Sequence, residues 1–441
     1  GSTAANEEKA VYDERRKQVD KHIRDLGADI LQDQQLTPYS FRYVIKYDKD
    51  LMEFSKKIES VEMTEILKRT PLFENHVALG GRMVGFGGWE MPVQYSSIKD
   101  EHLAVRQNAG IFDICHMGEF FVQGADAASF LDSLLTHDVT QLSPGWGQYN
   151  LLCNESGGVI DDLYLYCLKQ DSYLLIVNAS RLDVDWGWIS EQKKNIGSNK
   201  QIFLENRSTQ MGAIAVQGPS VKNWINECFE EEGRGNGVGK VSELKKNQIN
   251  AYLFNGNKVW IGATGYTGED GVEIIADNDL MAELWDSLLA RGHVGCVQPA
   301  GLGARDTLRT EMCYPLYGHE LTTETTPLEA GLGYFVDLKG ADFIGKQALI
   351  DQKESGVRKR CVAFQMKGRS APPRPEYPVY SQDEKKIGHV TSGTSSPSLN
   401  NGIGMAYVEI DHAKVGNMLE IEIRGRKFPA EIVKKPIYRK S

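Results

Sequence analysis

Among 441 residues there is no apolar run approaching the ~20 that a membrane-spanning helix needs. The first residues hold no hydrophobic signal segment, and Glu7, Glu8, Asp13, Glu14 and Asp20 supply more acid than a transit peptide tolerates. We therefore expect a soluble, non-secreted protein with no membrane partner, cytoplasmic in a bacterium rather than held in a mitochondrial matrix. Seven cysteines are present, yet none forms a C-x-x-C pair and none stands beside histidines at ligand spacing. That pattern points to reduced thiols and away from zinc, iron–sulfur clusters or a disulfide framework, so no metal is expected. Net positive charge is missing as well: at -10 the chain is poorly suited to nonspecific nucleic-acid binding, which needs clustered Lys and Arg. No Ser or Cys sits at a strained elbow near His116, so no nucleophilic triad is built on that histidine, which reads as a hydrogen-bonded structural residue. Internal repeats and low-complexity tracts are lacking too.

What is present exceeds one hydrophobic core, and two to four domains are expected. Residues 1–62 are dense in charge. Val19, Ile23, Leu26 and Ile30 fall at helical spacing, Leu51, Phe54, Ile58 and Val61 form a second such stripe, and Phe41-Arg-Tyr-Val-Ile-Lys-Tyr alternates between them like a strand. This predicts a helix–strand–helix appendage that packs on its own chain or on a partner. Through residues 63–350, strand-like runs alternate with amphipathic helices over 127–135, 221–229 and 280–289, implying an α+β body of two interleaved domains. After a break near 352–356, residues 351–441 hold short strands separated by Gly, Pro, Ser and Asn, which predicts a C-terminal all-β barrel or sandwich.

Two acidic strands are the candidates for chemistry. Gly265-Tyr-Thr-Gly-Glu-Asp-Gly-Val-Glu joins two strands through a glycine-rich turn, and alternation puts Val272 and Ile274 on one face and Glu273 on the other. A carboxylate among apolar neighbours must be paired or strongly hydrogen-bonded. The two adjacent N–H donors of a 2-amino-4-oxopyrimidine would match its oxygens; equally, Glu273 reads as a hairpin residue at a wet strand edge. In Gly157-Gly-Val-Ile-Asp-Asp-Leu-Tyr-Leu-Tyr the neighbouring acids face opposite ways: Asp161 goes with Leu163 and Leu165 toward the core, and Asp162 with Tyr164 and Tyr166. The aromatic, polar-tipped face is the better wall for a ligand and makes Asp162 the acid–base or electrostatic candidate, unless it merely caps the turn. A helix over 301–312 sets Arg305 and Arg309 on one face. There a guanidinium meets a ligand carboxylate or Glu273, or Arg309 pairs in solvent with Asp306 or Glu311.

Several further blocks complete the pattern: Gly87-Gly-Trp-Glu-Met-Pro-Val-Gln-Tyr, Asp113-Ile-Cys-His-Met-Gly-Glu, Val216-Gln-Gly-Pro, Gly303-Ala-Arg-Asp-Thr-Leu-Arg, Thr326-Pro-Leu-Glu-Ala-Gly-Leu and Val390-Thr-Ser-Gly-Thr-Ser-Ser-Pro with residues 402–406. Together with the two acidic strands, and in this order from about residue 70 onward, they resemble the T-protein family of the glycine cleavage system, the aminomethyltransferases. The resemblance implies a three-domain cloverleaf around a central folate site, with tetrahydrofolate as co-substrate and the lipoylated H-protein as partner. It implies a reaction in which an aminomethyl group on the dihydrolipoyl arm meets tetrahydrofolate, ammonia leaves, and 5,10-methylenetetrahydrofolate forms. Carried over by position, Asp162 matches the aspartate essential for transfer and Glu273 the pterin-binding carboxylate. Met117, Tyr149, Tyr166, Tyr266, Tyr314 and Arg305 match site residues, and Tyr438 or Arg439 a residue near the folate tail. Two other readings share the fold: a folate-dependent demethylase of a small methylated amine or sulfonium compound, and a folate-binding accessory protein of iron–sulfur assembly. The latter carries a Lys-Gly-Cys-Tyr type motif where this chain has Asp342-Phe-Ile-Gly-Lys.

Overall fold

The computed structural model describes the backbone of 29–37 and 40–46, then residues 67–440 except 198, 232–238 and 293–295. The chain divides into residues 1–68 and 69–441. In the first unit, strands Asp29–Thr37 and Ser40–Lys46 pair as an antiparallel hairpin, with Asp29 opposite Lys46 and Thr37 opposite Ser40. The strand expected at Phe41 is there. Ile30, assigned by spacing to a helical stripe, instead lies in a strand, because a backbone ladder with a neighbouring strand outweighs the weak propensity of one apolar period. Val19, Ile23, Leu26, Leu51, Phe54, Ile58 and Val61 lie outside the described residues.

The second unit is built from α and β elements around two sheets. The first sheet has five antiparallel strands in the order Phe203–Asn206, Gly118–Gln123, Ser172–Val177, Val159–Lys169, Trp146–Cys153. The second has seven, in the order Glu230–Glu231, Ile249–Phe254, Asn257–Gly262, Gly271–Asp277, Met211–Gln217, Ala109–Asp113, Val297–Pro299, the last joining in parallel. Alternation along each strand gives each sheet two apolar faces. Phe121, Tyr166, Leu174 and Ile176 of the first sheet meet Phe112, Ala213, Ala215 and Ile275 of the second in one buried cluster between the sheets. On the far side of the first sheet, Leu163, Leu165 and Leu175 pack on Phe130, Leu131 and Ile189. On the far side of the second, Ile214 and Ile274 pack on Met281, Leu284, Trp285 and Leu288, the apolar stripe of helix Asn278–Arg291. The run 111–121, read as one strand-like stretch, is two: Ala109–Asp113 belongs to the second sheet and Gly118–Gln123 to the first, and residues 114–117 carry the chain between them. Periodicity does not reveal such a crossing, since both strands keep the same alternation.

The helix over 221–229 is shorter than expected, Val221–Trp224 continued by a 3-10 turn at Ile225–Cys228. The break expected near 352–356 falls at the far end of that range: helix Lys346–Ser355 runs through Gln352 and stops at Gly356, whose φ of 83° is open to glycine. Beyond it, six strands close into a barrel in the order Lys359–Met366, Asn401–Glu409, Lys386–Ser396, Pro378–Tyr380, Met418–Ile423, Arg426–Val433. Closure leaves no free sheet edge, and the interior is filled by Phe364, Val379, Val390, Ala406, Ile421 and Ile432. Helix Leu302–Met312 and the segment after it join the barrel: Ser396 of the barrel donates to Glu311 on the helix, and Thr391 donates 2.5 Å to the Glu320 carboxylate beyond it. Among the described residues no helix is long and apolar enough to cross a membrane.

Candidate functional site

The two acidic strands are linked across the sheets through Tyr166 and Thr264. On the first, Val159–Lys169, the predicted split of the two aspartates holds. Asp161 is fully buried on the side of Leu163 and Leu165, whereas Asp162 keeps part of its surface open on the side of Tyr164 and Tyr166. The Tyr149 hydroxyl, on the neighbouring strand, donates 2.9 Å to Asp162 Oδ2. Asn178 Nδ2 lies 2.9 Å from Asp162 Oδ1, 3.0 Å from the Asp162 carbonyl and 2.9 Å from Asp161 Oδ1, so one amide holds both carboxylates. Burial and then the charge of Asp161 push the Asp162 carboxyl up to about 7. Asp185, deeper in the same cluster, is pushed up to about 11 by burial and by Asp161, and stays protonated at neutral pH. Asp162 is thus a carboxyl that exchanges its proton near neutrality, fixed in orientation by two donors.

On the second strand, Gly271–Asp277, Glu273 stands apart from buried Val272 and Ile274 as alternation predicts. Thr264 Oγ1 donates 2.6 Å to Glu273 Oε2, and the Tyr166 hydroxyl lies 2.6 Å from Thr264 Oγ1. Since the single Thr264 proton points at Glu273, Tyr166 must donate to Thr264, and a two-step relay runs from the first sheet to the second. Two glycines make room for it. A Cβ on Gly147 would lie 2.5 Å from the Tyr166 ring and 2.6 Å from the Tyr164 ring, and one on Gly262 would lie 2.7 Å from the Tyr166 hydroxyl.

The glycine-rich turn before Glu273 is clamped from two sides. Gln217 Nε2 donates 2.9 Å to the Thr264 carbonyl, and Thr267 donates 2.9 Å to Gln217 Oε1, in space that a side chain at Gly265 would fill. Arg106 Nη1 reaches the Thr267 carbonyl at 2.7 Å and Glu269 Oε1 at 2.9 Å, while Nη2 pairs with Glu311 at 2.7 Å. Gly268 has φ +80°, a conformation that residues with a Cβ rarely adopt. The turn is therefore a rigid wall rather than a loose hairpin.

The aromatic residues and arginines divide in an order that spacing did not show. Tyr266 and Tyr314 stack at 5.8 Å and 24°, Tyr266 donates its hydroxyl to the Pro315 carbonyl, and Arg305 lies over the Tyr266 ring at 4.9 Å. Arg305 Nη1 is buried with no hydrogen-bond partner among the described residues. Arg309 pairs with Asp306 at 2.6 Å, one of the partners its spacing offered, but does so buried rather than in solvent and also holds Glu320 at 3.1 Å. Glu311 belongs instead to Arg106 and His102, which hold its carboxyl down at about 2 against the effect of burial. Met117 packs on the inter-sheet cluster, as Tyr164 does. Tyr438 sits under Arg106, 4.3 Å from ring centroid to guanidinium, whereas Arg439 is exposed and makes no hydrogen bond or ion pair among the described residues. His116, expected to be hydrogen-bonded, has its Nδ1 unpartnered; it packs edge-on against Phe86 at 5.7 Å, and burial pushes it down to about 4. Asn178, Thr264, Gln217 and Arg106 were missed. Gln217 alone had a signal, its place in the Val-Gln-Gly-Pro block, while the others become visible only when distant strands meet.

The fold thus brings into one region a clamped turn, stacked aromatic rings, one carboxylate fed by a hydroxyl relay and another raised to about 7, groups that can hold a polar ring and exchange a proton. Two family models match the chain, the GCVT N-terminal domain over residues 72–340 and the glycine cleavage T-protein C-terminal barrel domain over 359–439. The chain belongs to the glycine cleavage T-protein family. It is similar to the aminomethyltransferase of Bacillus mycoides (strain KBAB4), 43% identical over 380 residues, covering 85% of this chain and 99% of the relative. It is similar to that of Bdellovibrio bacteriovorus as well, 43% identical over 376 residues, covering 85% of this chain and all of the relative. Among solved structures, the glycine cleavage system aminomethyltransferase T from Bartonella henselae superposes with a TM-score of 0.77 at 30% identity, covering 84% of this chain and 98% of that one.

Proposed function

We propose that this cleft binds tetrahydrofolate and that the chain transfers the one-carbon unit of an aminomethylated lipoyl carrier, the H-protein of the glycine cleavage system, to it with release of ammonia. The protein is an enzyme of the aminomethyltransferase kind, as its relatives are named. Tetrahydrofolate supplies the nitrogens that accept the one-carbon unit. The site suits it: Glu273 faces the gap with one oxygen already fed by Thr264, and Arg305 Nη1 is a buried donor without a partner.

In this reading Glu273 holds the two adjacent N–H groups of the pterin, Tyr266 and Tyr314 form an aromatic wall, and the clamped turn excludes water. Asp162 carries the chemistry. Tyr149 and Asn178 fix its oxygens, so its charge cannot turn away from positive charge growing on the carbon as the carbon–sulfur bond opens. The observation that carries the proposal is the pairing of this near-neutral carboxyl with the Tyr166–Thr264–Glu273 relay across one cleft. Tyr438 and Arg439 are assigned to the outer end of the cleft, near the folate tail, and residues 63–350 with 351–441 to the body and barrel domains. The named relatives are bacterial, which supports a cytoplasmic setting.

The test is formation of methylenetetrahydrofolate and ammonia from aminomethylated H-protein and tetrahydrofolate. Turnover with that donor is expected. Turnover confined to small methylated amines or sulfonium compounds would turn the assignment to a demethylase on the same fold.

A further inference from the structure

The function proposed above gives the Tyr164 hydroxyl no task. Tyr164 lies between Asp162 and Tyr166 on the same face of strand Val159–Lys169, and its ladder partners are Tyr149 on one side and Ile176 on the other. Three of its four nearest neighbours on this face are therefore residues of the proposed site. Its ring lies 4.9 Å from that of Tyr166. The two hydroxyls have different fates. That of Tyr166 is used internally by Thr264, whereas that of Tyr164 is buried with no hydrogen-bond partner among the described residues.

Burying a hydroxyl without a partner costs stability, and a Phe would fill the same volume without that cost. A phenol at such a place can take its partner from a bound ligand. Two orphaned donors are found here, the Tyr164 hydroxyl and Arg305 Nη1, and both lie close enough to Glu273 to feel its charge. Burial, aided by that charge, keeps the phenol protonated, so at neutral pH it offers a proton to a ligand. The cleft thus presents a carboxylate, which accepts, flanked by two donors. Its complement is a ring edge with adjacent N–H groups and a ring nitrogen or oxo acceptor beside them.

We propose that Tyr164 is a further ligand-binding residue of this site, whose hydroxyl donates to an acceptor of the 2-amino-4-oxopyrimidine ring that Glu273 reads, and so helps select that ring. The inference rests on the folate reading given above. It separates recognition into an accepting half, Glu273, and a donating half, Tyr164 with Arg305.

Tyr164→Phe tests it, with the dissociation constant of tetrahydrofolate and the apo Tm measured on the same preparations. The variant should bind tetrahydrofolate about 5-fold to 10-fold more weakly, the effect of one hydrogen bond, while its apo Tm stays equal or rises. The simple ring 2-amino-4-oxopteridine should show the same wild-type to variant ratio, because the contact is to the ring. Equal affinity in wild type and variant overturns the proposal, as does a ratio seen with tetrahydrofolate but absent with the pteridine. A fall in apo Tm that accounts for the loss of binding also overturns it, making the hydroxyl structural. Failure of the wild type to bind tetrahydrofolate would sink the folate reading itself, a distinct result.

Discussion

Strands Val159–Lys169 and Gly271–Asp277 follow one plan, a glycine turn and then an acid alternating out of an apolar strand, yet their carboxylates end in opposite electrostatic settings. Asp162 stands next to Asp161 with Asp185 behind them, three acids sharing one neighbourhood, and burial with mutual repulsion raises its proton affinity to the neutral range. Glu273 stands instead beside a hydroxyl relay and an arginine. The first setting suits a group that changes protonation during a reaction, and the second a group that grips a ligand through hydrogen bonds. A shared local pattern thus yields two chemical roles, decided by which neighbours the fold delivers.

The largest expected break in this comparison comes from Asp162→Asn. Turnover should fall by about 10²-fold to 10⁴-fold, the range for removing an acid–base or charge-stabilising group, with tetrahydrofolate affinity nearly kept. Steady-state kinetics beside binding calorimetry reads both, and parallel losses would erase the distinction. Glu273→Ala should do the reverse. Losing two charge-assisted hydrogen bonds weakens tetrahydrofolate binding by about 10²-fold, while kcat at saturation changes little.

Asp161→Asn sharpens the account of Asp162. With the ionised carboxylate as the active form, the rate falls as pH drops through about 7. Removing the Asp161 charge takes away a repulsion that raised the Asp162 pKa, so the acid limb of the pH–rate profile should move to lower pH. A limb that stays in place would mean that the limb reports another group. The smallest effect is expected from deleting residues 1–62, which should leave tetrahydrofolate affinity unchanged. Loss of folding on that deletion would show the extension to be structural.

Much of the candidate site's local geometry was legible residue by residue. Alternation was enough to separate Asp161 from Asp162 and Glu273 from Val272, because a strand's period of two is a local property. Glycines at 265, 268 and 271 marked the turn for the same reason. The relay was not legible: Tyr166 and Thr264 are 98 positions apart, and nothing in either neighbourhood announces the other. Nor was the fate of the arginines. Arg305 and Arg309 share a helix face by spacing, yet one is left with an orphaned nitrogen over Tyr266 and the other is locked to Glu320.

By itself the sequence pointed to the strands that carry Asp162 and Glu273, to the faces they bury, to an all-β C-terminal region and to the carboxylates that stand apart from the core, since these follow from periodicity and turn chemistry within some ten residues. Only the tertiary structure decided that Tyr166 and Thr264 link the first sheet to Glu273, that Asp162 shares its neighbourhood with two further acids, and that Tyr164 and Arg305 keep unpartnered groups within reach of the Glu273 charge. The reason is physical. Charge, burial and hydrogen bonding are properties of neighbourhoods, and these neighbourhoods are assembled from strands far apart in the chain.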